Sequence, residues 1–324
     1  MNKTAKIALW ITMALSVSVV AGTLSACSKS TPNTQDQTKT QEAGQDVSFQ
    51  KYVTAYNQFL NQTGGLEVGL NNYTHTQASA QTAAQLATQA ASKNADVPPI
   101  TIVAFNYVAL GVKALQEGVE SANAQTRPVD LAAKELLEKV QALHTKAQEF
   151  NAYYISKKYL DDNWAKDKAE KPALIALWKE TIALNNKFGQ EISAINDAKR
   201  IQDADALKAK GQTLQADTLL AISKAKEILN ALKDNEKTTD FSATDSKVVE
   251  LETILSEHEK AEQQAKADKK LDNDFYQKFR ENLNQMVGQY RTLKAAPASS
   301  AKAKAFNGMV DAYNEAVFYK NQMH

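Results

Sequence analysis

Cysteine occurs once in 324 residues, at Cys27. No disulfide can form within the chain, so packing alone must hold the fold. Proline and glycine are sparse at six and 11, too few of the breakers that punctuate sandwiches and barrels. Four histidines beside one thiol are a thin supply of metal ligands. No charge of one sign prevails. The 38 basic and 37 acidic residues nearly cancel, which argues against nucleic acid as a partner. After Cys27 no apolar run approaches the roughly 20 residues of a bilayer-crossing helix. Nucleophile elbows of the Gly-x-Ser-x-Gly type and His-Glu-x-x-His pairs are missing too. Gly64-Gly65 with Gly69 lacks the preceding strand and the Lys-Ser/Thr ending of a phosphate cradle, and reads as a turn. No catalytic residue, cofactor or metal is therefore expected, and the chain reads as non-enzymatic.

What is present begins at the N-terminus. Lys3 and Lys6 precede an apolar stretch from Ile7 to Gly22, broken only by Thr12, Ser16 and Ser18. That is the layout of a secretory signal peptide. At about 16 residues it is short for a membrane span. It ends on Leu24-Ser25-Ala26-Cys27, which closely resembles the bacterial lipobox. The resemblance implies that the Cys27 sulfur carries fatty acyl chains of the palmitate class and that the peptide is cut before it. Two acyl chains give stable anchoring where one is marginal. Ser28, in a position where enterobacterial sorting disfavours Asp, implies the outer membrane of the cell envelope. Removing residues 1–26 takes away Lys3 and Lys6 and leaves 36 basic against 37 acidic residues, a charge of −1. Residues 27–46 then read as the lipidated cysteine and a flexible polar tether, because Ser28 to Asp46 hold almost nothing apolar. Such a tether has a mean reach of about 25 Å. Residues 47–324 read as one helical domain.

That domain is rich in Ala, Lys, Leu, Gln and Glu, the strong helix formers. Tyr52, Val53, Tyr56, Phe59 and Leu60 mark a helix over about 47–62. Others are expected over 66–93 and, after Pro98-Pro99, from Ile100 to near Arg127. Asp130 reads as the N-cap of the next. Its stripe is Ala133, Leu136, Val140, Leu143, Ala147, Phe150 and Tyr154, spaced by three and four as in a heptad seam. Residues 157–171 read as polar connection, with Pro172 in a first helical turn. A second stripe runs Leu174, Leu177, Thr181, Leu184, Phe188, Glu191 and Ile195, and a third runs from Leu207 through Leu214, Thr218 and Ala225 to Leu232. Their phases disagree, which predicts a turn or stutter within 196–206. Helices over 246–269 and 271–294 and a last one holding Phe306, Val310, Tyr313 and Val317 complete the chain. No segment alternates with period two for the length of a strand. The fold class is all-α, an elongated antiparallel bundle of heptad-packed helical hairpins.

Three stretches carry a family resemblance: Lys51-Tyr52-Val53-Thr54-Ala55-Tyr56-Asn57, the run from Tyr153 to Trp164, and Phe306-Asn307-Gly308-Met309-Val310-Asp311-Ala312-Tyr313-Asn314. Together they resemble the YiiG-like family of bacterial lipoproteins, a domain of unknown function. The resemblance implies an all-helical fold and an envelope address. It implies no activity and no site.

Three constellations remain. Tyr154, Lys158, Tyr159, Asp161, Asp162 and Trp164 form a candidate recognition segment, since polar connections on rigid scaffolds often carry function. The plainer reading is an interhelical connection with Tyr159 and Trp164 as apolar plug and the aspartates as caps, and every helix start needs a cap. His258 and Glu262, four apart on one face, could share a metal; the plainer reading is a solvated face with ion pairs. The aromatics Tyr52, Tyr56, Phe59, Phe306, Tyr313 and Phe318 read as the two chain ends packed on each other. In function, the leading expectation is an envelope lipoprotein, anchored to the membrane by lipid, that docks an envelope protein. The alternative is a small-ligand or metal-binding helical bundle.

Overall fold

The computed structural model describes residues 35–61, 65–75, 105–122, 127–232, 240–271 and 273–323, with backbone only at 35–46 and 105–107. The lipobox and Cys27 lie outside these residues, as does the expected helix beyond residue 75. Among the described residues every regular element is helical and none is a strand, so the chain is an all-α helical bundle. Its helices are α1 (Gln35–Phe59), α2 (66–75), α3 (Phe105–Ser121), α4 (Pro128–Ile155), α5 (Ala165–Ala209), α6 (Thr213–Ala231), α7 (Ser242–Ala267), α8 (Phe275–Ala295) and α9 (Ser299–Gln322); one 3-10 turn, Lys158–Leu160, follows α4. Two compact units divide within α5, between Ile195 and Asn196.

In the unit before the division, α1 lies on α3 and α5 at places where only hydrogen would fit. A Cβ at Gly111 would fall on the Phe59 ring, one at Gly118 would lie 2.6 Å from Tyr52, and one at Gly189 would fall on Tyr56. Tyr52 and Tyr56 then meet Phe188 edge-on at 5.6 and 6.3 Å. The whole expected α4 stripe, Ala133 to Tyr154, is buried. The α5 stripe is half right. Leu174, Thr181 and Phe188 are buried, but the alternate positions are Trp178, Asn185 and Ile192 rather than Leu177, Leu184 and Glu191. Trp178 has the larger apolar face to remove from water. It stacks on Tyr73 at 5.9 Å and donates its indole N–H to the Leu66 carbonyl at 2.8 Å.

In the other unit, α8 and α9 pair closely, α6 packs on α7 and α9, and one apolar cluster runs from Ala221 through Phe279 and Tyr290 to Ala316. Phe306 and Tyr313 belong to that cluster. The aromatics of the first and last helices thus find partners in separate units. Tyr52 and Tyr56 have the Phe188 ring beside them, Phe306 and Tyr313 are buried in the cluster of their own unit, and Phe318 is exposed.

Three helix boundaries also differ from expectation. First, α1 is helical from Gln35, inside the segment expected to be a flexible tether. Its Gln, Lys, Glu and Ala residues are good helix formers, and the packed half of α1 gives them a nucleus to extend. Second, α5 begins at Ala165, and Pro172 lies inside it rather than in its first turn. Third, α5 runs unbroken through 196–206 and ends at Gly211 instead. There a left-handed glycine (φ 74°) closes the helix, with Gln212 N–H bonded to Leu207 O and Gly211 N–H to Lys208 O, both at 2.9 Å. The change of phase marks a change of partner. Before 196 the α5 side chains meet α1 and α4, as Phe188 meets Tyr52 and Lys187 meets Glu135. After it they meet α6, as Asp197 meets Lys226 and Arg200 meets Ser223.

Candidate functional site

Asp130 stands in the first turn of α4 at N3, not at its N-cap, which is Arg127. Its buried carboxylate accepts from Arg127 Nε at 2.8 Å and Nη2 at 2.9 Å and from Tyr52 OH at 3.1 Å; Arg127 Nη2 also reaches Ser48 Oγ at 3.0 Å. A carboxylate near a helix N-terminus that accepts from a tyrosine recurs: Tyr153 donates to Asp162 at 2.9 Å, Tyr154 to Asp167, and Tyr290 to Asp245 at 2.8 Å. The helix start favours the negative charge, and the phenol ties it to a neighbouring helix.

Two of these pairs build the connection between α4 and α5. Tyr154 spends its proton on Asp167, so the 3.0 Å contact between Tyr73 OH and Tyr154 OH must have Tyr73 as donor. Burial pushes the Tyr73 phenol up to about 12 and raises Tyr154 further; both stay neutral donors. Burial also pushes the Asp162 carboxyl up. The Tyr153 hydroxyl and the amides of Lys166, Ala165 and Trp164 outweigh that and hold it below the ordinary range. Asp162 is thus the cap of α5, accepting from Lys166 N–H at 3.2 Å. Trp164, 9% exposed, stacks on Tyr159 at 4.4 Å. Its amide closes back on the Tyr159 carbonyl at 3.0 Å.

The backbone here is unusual. Lys157, Asn163 and Trp164 all have φ between 52° and 65°, a conformation costly for a residue as bulky as tryptophan. The plug and cap hold it in place. What the turn leaves outside is Ile155 and Leu160, each 63% exposed, with Lys157, Lys158 and Asp161 also exposed. The candidate segment therefore splits. Tyr154, Tyr159, Asp162 and Trp164 are structural, as the plainer reading holds. Lys158 and Asp161 remain on the surface. Sequence reasoning missed Tyr153, Asp167, Ile155 and Leu160. The apolar pair could have been found as residues that no heptad stripe uses.

The tip has a definite place in its unit. Ser48 of α1 packs near the start of α4 through Arg127, whereas Tyr73 packs at its end on Tyr154. The 28 residues of α4 separate these ends by about 40 Å. The tip is thus at the far end from where α1 arrives.

The His258–Glu262 face is not solvated, contrary to expectation. His258 is 0% and Glu262 2% exposed. Thr218 Oγ1 gives its proton to the Leu214 carbonyl at 2.8 Å, so His258 Nε2, 3.2 Å away, is the donor to Thr218. Nδ1 is then a bare acceptor with no partner. Glu262 is paired with Lys266 at 2.8 Å and Arg280 at 3.3 Å. The two residues are thus core members rather than joint ligands. Among the described residues no three His, Cys, Asp or Glu side chains gather as a metal site would require.

A family model described as a protein of unknown function (DUF3829) matches residues 49–315, and the chain belongs to that family. No curated protein and no solved structure matches it.

Proposed function

We propose that this DUF3829 protein is a non-enzymatic bacterial envelope lipoprotein, held by acylated Cys27, that docks an envelope protein through the α4–α5 tip. The observation that carries the docking reading is the tip itself. Ile155 and Leu160 stand out into solvent on a turn whose backbone is fixed by the Tyr159–Trp164 stack and the Asp162 cap. Exposed apolar side chains on a rigid turn bind with little loss of conformational freedom. The tip also lies about 40 Å along α4 from the end at which α1 arrives, which suits presentation away from the anchor. The flanking Lys157 and Lys158 against the single exposed Asp161 fit an apolar pocket with an acidic rim. The resemblance to YiiG-like lipoproteins and the Leu24-Ser25-Ala26-Cys27 lipobox support the anchored envelope address, with the outer membrane as the membrane concerned.

The anchor is tested by Cys27→Ala. The wild type should take up a palmitate analogue and fractionate with membranes, and the variant should do neither. A variant that still fractionates with membranes after signal cleavage would overturn the anchored reading. The docking arm is tested by replacing Ile155 and Leu160 with serine, which should keep the fold and lose the partner.

A further inference from the structure

On α9, Phe306, Val310, Tyr313 and Ala316 enter the core cluster, and another face of the helix is left outside. Asp311, Glu315 and Phe318 stand on that outer face at spacings of four and three. Phe318, 54% exposed, is the one exposed aromatic side chain among the described residues. Its ring does not stand alone. It meets Tyr319 edge-on at 5.4 Å, and Phe275 of α8 lies 6.5 Å from Tyr319. Both neighbours are half-buried, so the apolar surface continues inward from Phe318.

The outer face is acidic on one side of that surface. Asp311 and Glu315 are exposed and make no ion pair among the described residues. They lie about 6 Å apart along the axis, with Phe318 about 4.5 Å beyond Glu315. Lys278 is held on the Tyr319 ring at 5.4 Å, and Lys320, two residues on, falls on the other side of the helix. Val249 on α7 is also an exposed apolar side chain near acids. There, however, Asp245 is already paired with Lys294 and Glu252 with Arg291.

The α4–α5 tip offers the opposite set. Ile155 and Leu160 are each 63% exposed, beside exposed Lys157 and Lys158. Such a tip calls for an apolar surface with unpaired acids at its edge, and α9 of the same chain carries one.

We propose that the tip of one copy docks on the α9 face of a second copy. Ile155 and Leu160 then lie against the Phe318 ring, and Lys157 and Lys158 reach toward Glu315 and Asp311. This rests on the docking reading of the tip and names its partner as another molecule of this chain. The two surfaces differ, so the contact is heterologous, and copies join head to tail.

The test uses two differently tagged copies of the full chain in the same cells. One carries an aromatic photo-crosslinking amino acid in place of Phe318, and the other supplies the tip. Light should join the two tags, with the adduct mapping to residues 155–160 of the second copy. Lys157→Glu with Lys158→Glu in the second copy should cut that adduct roughly fivefold or more. Asp311→Lys with Glu315→Lys in the labelled copy should cut it as far, and the two pairs together should restore it. All four side chains are exposed, so the variants should melt like the wild type. A label at position 249 should give no such adduct. Self-docking is overturned if position 318 joins no second copy or if position 249 labels equally. It is also overturned if the charge reversals leave the adduct unchanged or their combination fails to restore it. A label at position 160 that captures a different protein and no second copy overturns self-docking and leaves the docking reading standing; one that captures nothing ends both.

Discussion

At the scale of single residues, side chains are decided by what lies within a few ångströms, and two glycines make the point. Gly111 and Gly288 are both inside helices, where glycine is costly. A Cβ at Gly111 would strike the Phe59 ring, whereas one at Gly288 would meet nothing within 4 Å. Gly111→Ala should therefore destabilise the protein by about 1–3 kcal/mol through overpacking. Gly288→Ala should stabilise it by about 1 kcal/mol. Urea titration of both variants checks the opposite signs. His258 makes a second case. Burial, opposed by Glu262 and aided by Arg280, lowers its pKa from 6.5 to about 4. Between those values the unfolded chain holds a proton that the folded chain refuses, so this contribution is whole above pH 6.5 and falls as the pH drops towards 4. The loss amounts to about 3 kcal/mol. Stability measured from pH 7 to pH 4 should fall less in His258→Leu than in the wild type by about that amount. Equal falls would show that His258 takes up its proton without cost.

At the scale of elements, the stripes that a seam buries on both sides were legible. The α4 stripe from Ala133 to Tyr154 is buried throughout, and Leu214, Thr218, Ala221, Ala225, Ile228 and Leu232 are buried around α6. Boundaries were less legible, for physical reasons. A change of phase in a hydrophobic pattern reports a change of partner as readily as a break, and α5 carries its first stripe and the start of its second on one unbroken helix. Pro172 reads as a helix start, but the Asp162 cap and the Tyr154–Asp167 bond begin α5 seven residues earlier. An interior proline removes one backbone bond and strains the preceding turn. Pro172→Ala should therefore raise stability by about 2 kcal/mol, read as a higher urea midpoint with unchanged slope. A lower midpoint would mean that the proline is needed where it stands. The tip was legible as a place, since Tyr154 to Trp164 was singled out, but not as a surface. Which members face outward depends on three left-handed residues, none of them glycine, that no local pattern announces.

At the scale of the whole molecule, the proposed function joins acylation at Cys27 to a helical bundle whose candidate docking turn lies at the far end of α4. Among the described residues no helix is long and apolar enough to cross a membrane; the proposed attachment rests on the Leu24-Ser25-Ala26-Cys27 lipobox. The most direct test places a photo-crosslinking amino acid at position 160 of the acylated protein in living cells. Position 131, an exposed leucine in the first turn of α4, serves as the comparison. The account predicts a discrete protein adduct from position 160, absent from position 131 and lost when Ile155 is also replaced by serine in a variant that melts like the wild type. Equal labelling from both positions, or none from position 160 in the membrane-attached protein, would contradict it.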